Sequence, residues 1–155
     1  MKLIIREGTE NDIASALKLV HELARYEKAP DEVEVNAEQM KEWGFGENPL
    51  FRFFVAEEGG NVLGIALYYY KYSTWKGKCI FLEDIIVTET QRKKNIGSKL
   101  FEQVVQVAKR EGVKRLEWQV LSWNEPAIAF YKKYKSNFDE EWLNCKLTYA
   151  QIQSM

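Results

Sequence analysis

The sequence predicts an α/β (α+β) fold in which a mixed, mostly antiparallel sheet is flanked by helices. Two observations carry this. β-rich runs at residues 51–57, 62–72 and 79–87 follow one another with only turn signals between them, which makes an antiparallel meander. A helical run at 95–111 then separates the third of these from another β run at 115–120, and that spacing makes a crossover between parallel strands. A single domain spanning 1–155 is expected, large enough to bury a substantial core.

Each element has a local reason. Lys2 to Arg6 is a short apolar strand. Thr9 with Asp12 forms a capping box with aspartate in the place of glutamate. Ile13, Ala16, Leu17, Val20, Leu23 and Ala24 then recur at helical spacing as far as about Tyr26. Glu27, Asp31, Glu32 and Glu34 make the next loop acidic: either a solvated loop or a wall that attracts a cation. Asn36 with Gln39 caps a short helix through Trp43, and Gly44 is placed to end it. Gly59-Gly60-Asn61 marks the hairpin between the first two meander strands, and Trp75-Lys76-Gly77-Lys78 the turn into the third. On the long helix Gly97, Leu100, Phe101, Val104 and Ala108 share one face, and Gly112 is its stop. Pro126 suits the first turn of another helix, on which Ala127, Phe130, Tyr131 and Tyr134 share a face. A last strand is expected over Glu141 to Thr148, with a tail that frays after Ala150.

Composition narrows the function. The net charge of −1 and a pI of about 6.0 give no global field for nucleic acid, so no nucleic-acid partner is expected. No apolar run approaches the length of a membrane span, and the opening residues Met-Lys-Leu-Ile-Ile-Arg are too soon charged for a signal peptide. Cys79 and Cys145 lack metal-ligand spacing, and no disulfide framework is expected; a reducing, cytoplasmic setting fits. The single histidine, His21, rules out a multi-histidine metal site, and no metal is expected.

The stretch from Phe81 to Leu100 is the richest in chemistry. An apolar strand interrupted by Glu83 and Asp84 runs into a basic loop, Arg92-Lys93-Lys94, and then a helix start. The first-turn N–H groups of a helix have no internal partners, and its dipole favours an anion there. Asn95 suits a position of positive φ. An anion site and a solvated charge run before an ordinary helix are both open on this stretch alone. With regular pairing, Asp84 would face the side of the sheet opposite Glu83, so the two would not form a dyad.

Arg92-Lys93-Lys94-Asn95-Ile96-Gly97 resembles the Arg/Gln-x-x-Gly-x-Gly/Ala signature of the GCN5-related N-acetyltransferases, with Asn95 where the family usually has its first glycine. Further blocks resemble the diamine acetyltransferases of the spermidine/spermine type: Glu22-Leu23-Ala24-Arg25-Tyr26-Glu27, Gly44-Phe45-Gly46-Glu47, Leu82-Glu83-Asp84 and Trp123-Asn124-Glu125-Pro126. The resemblance implies the GNAT fold, with a sheet splayed between the strands at Cys79–Val87 and Arg115–Val120. It implies acetyl-CoA as cosubstrate, bound by Ile85, Ile86 and Val87, by the turn of Arg92, Lys93, Lys94, Asn95, Ile96, Gly97 and Ser98, and by Asn124, Pro126, Ala127 and Tyr131. For a small cationic amine it implies contacts from Tyr26, Glu27, Trp75, Glu83, Trp123 and Trp142, since carboxylates and aromatic faces suit ammonium groups. Homodimers are common in that family, and a homodimer is expected.

The implied reaction explains these residue types. An alkyl ammonium of pKa about 10.4 must lose a proton before it can attack, at a cost of roughly 4–5 kcal/mol at pH 7. Glu83 is the candidate base, directly or through water, and Tyr131 the candidate acid for the leaving thiolate. A backbone N–H near Ile86 or Val87 would stabilise the developing oxyanion. Other readings of the same residues remain: Glu83 in a structural hydrogen-bond network, Asn124 as a plain helix cap, and Tyr131 as a packed core residue. Two departures stand out. Ser73 occupies an acidic position before Trp75, which leaves a short diamine or lysine-like amino acid as open as a long polyamine. Lys135 stands where a glycine ordinarily ends the short helix. A non-catalytic acyl-CoA-binding domain, a protein-interaction module and an acetyltransferase acting on protein lysines or antibiotics are the rival functions.

Overall fold

The computed structural model describes residues 1–155, which form two compact units, Met1–Gln119 and Val120–Met155. The first holds the whole sheet, in the order β1-β2-β3-β4-β5. Its strands are β1 (Leu3–Glu7), β2 (Arg52–Glu58), β3 (Asn61–Ser73), β4 (Gly77–Val87) and β5 (Leu116–Glu117), and its helices are α1 (Ile13–Tyr26), α2 (Ala37–Phe45) and α3 (Ile96–Arg110). β1 to β4 pair antiparallel, and β5 pairs parallel to β4 through the α3 crossover. The fold class is therefore the expected one.

Gly59 and Gly60 both take positive φ, 59° and 81°, as a two-residue hairpin whose twist matches its strands requires. The strand register divides the side chains between two faces. On one face Phe53, Val55, Ile65 and Ile86 form a core with Ile13, Ala16 and Leu19 of α1 and Met40 of α2. On the other, α3 buries Ile96, Leu100, Phe101, Val104 and Val107. Gly64 permits that approach: a Cβ there would lie 2.7 Å from the Ile86 carbonyl oxygen and 3.1 Å from Leu100 Cδ1.

The expected capping boxes form. The Thr9 N–H donates to Asp12 Oδ2 at 2.7 Å, and Asn36 and Gln39 exchange bonds of 3.0 and 2.8 Å. Asp12 does more than cap. The guanidinium of Arg6 donates to both its oxygens, at 2.8 and 2.9 Å, and Arg6 Nε donates to Glu57 Oε2 at 2.7 Å. That guanidinium holds the Asp12 carboxyl down at about 2, although burial opposes it.

Several boundaries depart from expectation. α2 runs through Gly44 to Phe45, and Gly46 is the cap. In α1 the buried residues are Ile13, Ala16 and Leu19, with Leu17, Val20 and Leu23 half-covered at the edge of the core. Val107 replaces Ala108 in the α3 core, because the buried stripe drifts round a 3.6-residue helix. β5 is only Leu116–Glu117, shorter than 115–120.

The second unit contains α4 (Glu125–Lys132) and α5 (Tyr149–Gln153). The expected strand over Glu141–Thr148 is absent. Alternation supplies a face, but a strand also needs a ladder partner, and none pairs with this segment. The expected fraying tail is instead α5, capped by a Thr148–Gln151 box. Lys135 takes φ 58°, the left-handed conformation that a glycine would adopt more easily at that place.

Candidate active site

The β4–β5 ladder ends at Phe81↔Glu117, while β4 continues through residues 82–87. The sheet thus opens along β4 where the resemblance expects it to. Within that stretch the β3–β4 register slips: Tyr68 lies opposite Leu82, but Leu67 lies opposite Asp84. Glu83 is the extra residue of a β-bulge.

The bulge overturns the expectation that Glu83 and Asp84 face opposite sides. Asp84 is in register with Leu67, on the face covered by α1 and α2. Exposed Glu83 accepts a 2.9 Å hydrogen bond from the Tyr69 hydroxyl, and Tyr69 belongs to that same face. The ring of Tyr69 stacks on Phe81 with centroids 5.4 Å apart, which fixes the hydroxyl's direction.

Electrostatics follow from this arrangement. Burial, then the charges of Glu83 and Glu27, push the Asp84 carboxyl up to about 7. Burial also raises Glu27. Burial and the bond to Glu83 push the Tyr69 phenol up to about 12, so it remains a donor. No lysine or arginine pairs with any of the three carboxylates. Glu27 is set there by the end of α1: Lys28 turns left-handed at φ 62°, and the Ala29 N–H closes back on the Ala24 carbonyl at 2.8 Å. Asp31, Glu32 and Glu34 are exposed, so the solvated reading holds for those three and not for Glu27.

The basic loop contains two left-handed residues just before α3. Asn95 takes φ 61° as expected, and Lys93 takes φ 65° as well. Left-handed residues at alternate positions before a helix start turn backbone N–H groups toward a common side. Lys93 and Lys94 are exposed; Ile96 is buried, and Gly97 and Ser98 are half-buried in the first turn of α3. Arg92 is used differently. Its Nε donates to the Val87 carbonyl at 3.1 Å, and its guanidinium lies over the Tyr26 ring, 4.9 Å from the centroid.

The remaining expected residues are placed as follows. Ile86 is buried, and Ile85 and Val87 are half-buried near the end of β4. Trp75 is 79% exposed beyond a turn in which Ser73 Oγ accepts from the N–H groups of Trp75 and Lys76 at 3.2 and 3.1 Å. Ser73 is thus a turn cap. In the second unit Asn124 is buried and caps α4, accepting from the Ala127 N–H at 3.3 Å, with Pro126 in the first turn. Tyr131 is the buried residue of that helix, and Trp123 and Trp142 are exposed. Asp84 and Tyr69 were not anticipated as site residues. The signal for Asp84 was two consecutive carboxylates inside an apolar strand; Tyr69 carries none.

A mixed sheet opened beside β4, with a crossover helix behind a basic loop, is the arrangement that the GNAT resemblance implies. The model of the acetyltransferase (GNAT) family matches residues 16–135, and the chain belongs to that family. The thialysine N-epsilon-acetyltransferase of Bos taurus is 43% identical over 138 residues, covering 84% of this chain and 81% of that protein. The spermidine/spermine N(1)-acetyltransferase-like protein 1 of Homo sapiens is 33% identical over 134 residues, covering 82% of this chain and 19% of that longer protein. A predicted acetyltransferase from Clostridium acetobutylicum, solved with acetyl-CoA, superposes with a TM-score of 0.75 over 94% of this chain and 96% of that one, at 17% identity. The protein is an N-acetyltransferase.

Proposed function

We propose that this enzyme moves an acetyl group from acetyl-CoA to the primary amine of a small cationic acceptor: a lysine-like amino acid, a short diamine or a polyamine. The observation that carries the acceptor class is the uncompensated cluster of Glu27, Glu83 and Asp84, three carboxylates without a basic partner. Such a cluster is completed by a cation. The thialysine and spermidine/spermine names of the relatives support the same class.

The basic loop fits the cosubstrate as an anion cradle: left-handed Lys93 and Asn95 and the start of α3 offer N–H groups to a pyrophosphate, with Lys93 and Lys94 adding charge. Bound acetyl-CoA supplies the thioester carbonyl and the thiolate leaving group. The chain supplies proton handling and orientation. A base for an ammonium near pH 7 must itself hold its proton weakly at that pH, and Asp84, at about 7, meets the condition. The base role foreseen for Glu83 therefore passes to its neighbour. Glu83, aligned by Tyr69, holds the ammonium and keeps Asp84 high. Tyr131 on α4 is the proposed acid: its phenol proton goes to the departing thiolate, and the phenolate is restored from solvent. Tyr131→Phe is expected to lower kcat about a hundredfold with little change in the acceptor KM, read by thiol release; unchanged turnover removes the assignment. We read residues 1–155 as one catalytic domain, a reading that the family match over residues 16–135 supports.

The test is acetyl-CoA-dependent thiol release across thialysine-like amino acids, ornithine-like short diamines, spermidine, spermine and a lysine peptide. Turnover on the free small amines, with the peptide inert, is the expected result. Preference for the peptide would move the enzyme to the protein-lysine class. Binding of acetyl-CoA without turnover of any amine would leave an acyl-CoA-binding domain.

A further inference from the structure

Glu22 has no part in the chemistry above, yet its carboxylate reaches across from α1 to the loop that follows β4. It accepts from the Glu89 N–H at 2.7 Å and from the Thr88 hydroxyl at 3.1 Å. One helical turn further on, Tyr26 receives the guanidinium of Arg92 on its ring. Arg92 also closes the loop on itself through the Val87 carbonyl at 3.1 Å. The anion-cradle loop is thus fastened at both ends to one face of one helix. The same helix carries Glu27 of the acceptor cluster at its end.

We infer that Glu22 is a positioning residue for acetyl-CoA binding: together with the Tyr26–Arg92 stack it clamps residues 88–92 to α1 and so holds the cradle of Lys93 to Ile96 in its binding shape before the cosubstrate arrives. A loop already ordered loses less freedom on binding, so the clamp acts on affinity for the cosubstrate and not on the acceptor. Arg92 acts in this as a staple within the protein. The inference rests on the proposed acetyl-CoA site.

Glu22→Ala tests it, read by calorimetric titration with acetyl-CoA and by amide hydrogen exchange over Glu89 to Ile96. A charge-assisted bond to a backbone N–H is lost, so acetyl-CoA affinity is expected to fall about tenfold and the Glu89 amide to exchange about tenfold faster. The acceptor KM at saturating acetyl-CoA is expected to stay within about twofold. Glu22→Gln keeps a carbonyl oxygen for the Glu89 N–H and should recover most of the affinity. Thr88→Val removes only the hydroxyl and should show a smaller loss, and these two variants carry the test if the alanine variant does not fold. Wild-type affinity together with wild-type exchange in Glu22→Ala overturns the clamp. A parallel loss in cofactor and acceptor parameters with a lowered Tm also overturns it, since that is the mark of general destabilisation. If the wild type itself binds no acetyl-CoA, the site reading fails, and the Glu89 exchange rate still decides whether the tether exists.

Discussion

Two carboxylate clusters, each between a strand and an end of α1, meet opposite fates. At β1, Asp12 and Glu57 share the guanidinium of Arg6, and the Asp12 carboxyl is held at about 2. At the β4 bulge, burial and then the charges of Glu83 and Glu27 push Asp84 up to about 7. Both clusters lie partly out of water, so burial is common to them. Burial is the largest cause of the rise at Asp84, whereas at Asp12 the Arg6 guanidinium outweighs it. Where the protein supplies a cation, the cluster is structural. Where it does not, a carboxylate is left able to take a proton at neutral pH, which fits the proposed ammonium site.

Removing Asp84 breaks this comparison most directly. Asp84→Asn is expected to lower kcat/KM about a thousandfold and to abolish the rise of rate with pH centred near 7. Stability should move the other way. The folded form of the wild type keeps its Asp84 proton up to about 7, whereas the unfolded chain releases it near 4, so the folded form binds more protons between those values. Wild-type stability therefore falls as pH climbs through that window and levels above it. The asparagine variant lacks this fall and should be more stable by roughly 2–4 kcal/mol at pH 8, measured by denaturant unfolding. A pH–rate profile that keeps its limb near 7 in this variant would return the base role to another group.

The opposite cluster is broken by Arg6→Ala. Asp12 and Glu57 then lose their partner, and stability at pH 7 should drop by about 2 kcal/mol, a figure discounted because the Arg6 side chain is 34% exposed. Asp12 is lowered, so its contribution is present above about 4 and is lost as pH falls toward 2; the variant should lack that acid-dependent loss. Turnover by the folded variant should remain at the wild-type level. A smaller change sharpens the contrast. Glu83→Gln removes one of the two charges that raise Asp84, so the limb near 7 should move to lower pH and the acceptor KM rise about fivefold. Loss of the limb altogether would identify Glu83 itself as the base.

The same contrast marks how far the sequence could be read. The β2–β4 meander was legible because alternation and the Gly59-Gly60 turn are local signals. The left-handed Asn95 was legible because asparagine tolerates that conformation, whereas Lys28, Lys93 and Lys135, which share it, carry no such signal. The bulge was not legible: register belongs to two strands at once, and Tyr68↔Leu82 beside Leu67↔Asp84 cannot be read from β4 alone. The expectation that the two carboxylates face opposite sides failed for that reason. The missing strand at 141–148 failed in the same way, since its alternation had no ladder to join. The basic run before α3 stands out in the sequence, but the stacking of Arg92 on Tyr26 does not, because Tyr26 is distant in the chain.

The ladder also records an insertion. Take Glu83 out of β4, and Leu82 and Asp84 would fall into an unbroken alternation opposite Tyr68 and Leu67, with every other residue still on its present face. Position 83 is the one residue of β4 without a partner in the ladder to β3. A one-codon deletion there would straighten the strand and erase the carboxylate together, while Glu83→Gln erases the carboxylate and leaves the bend. The difference between those two chains isolates curvature from charge, two contributions that any side-chain replacement leaves entangled.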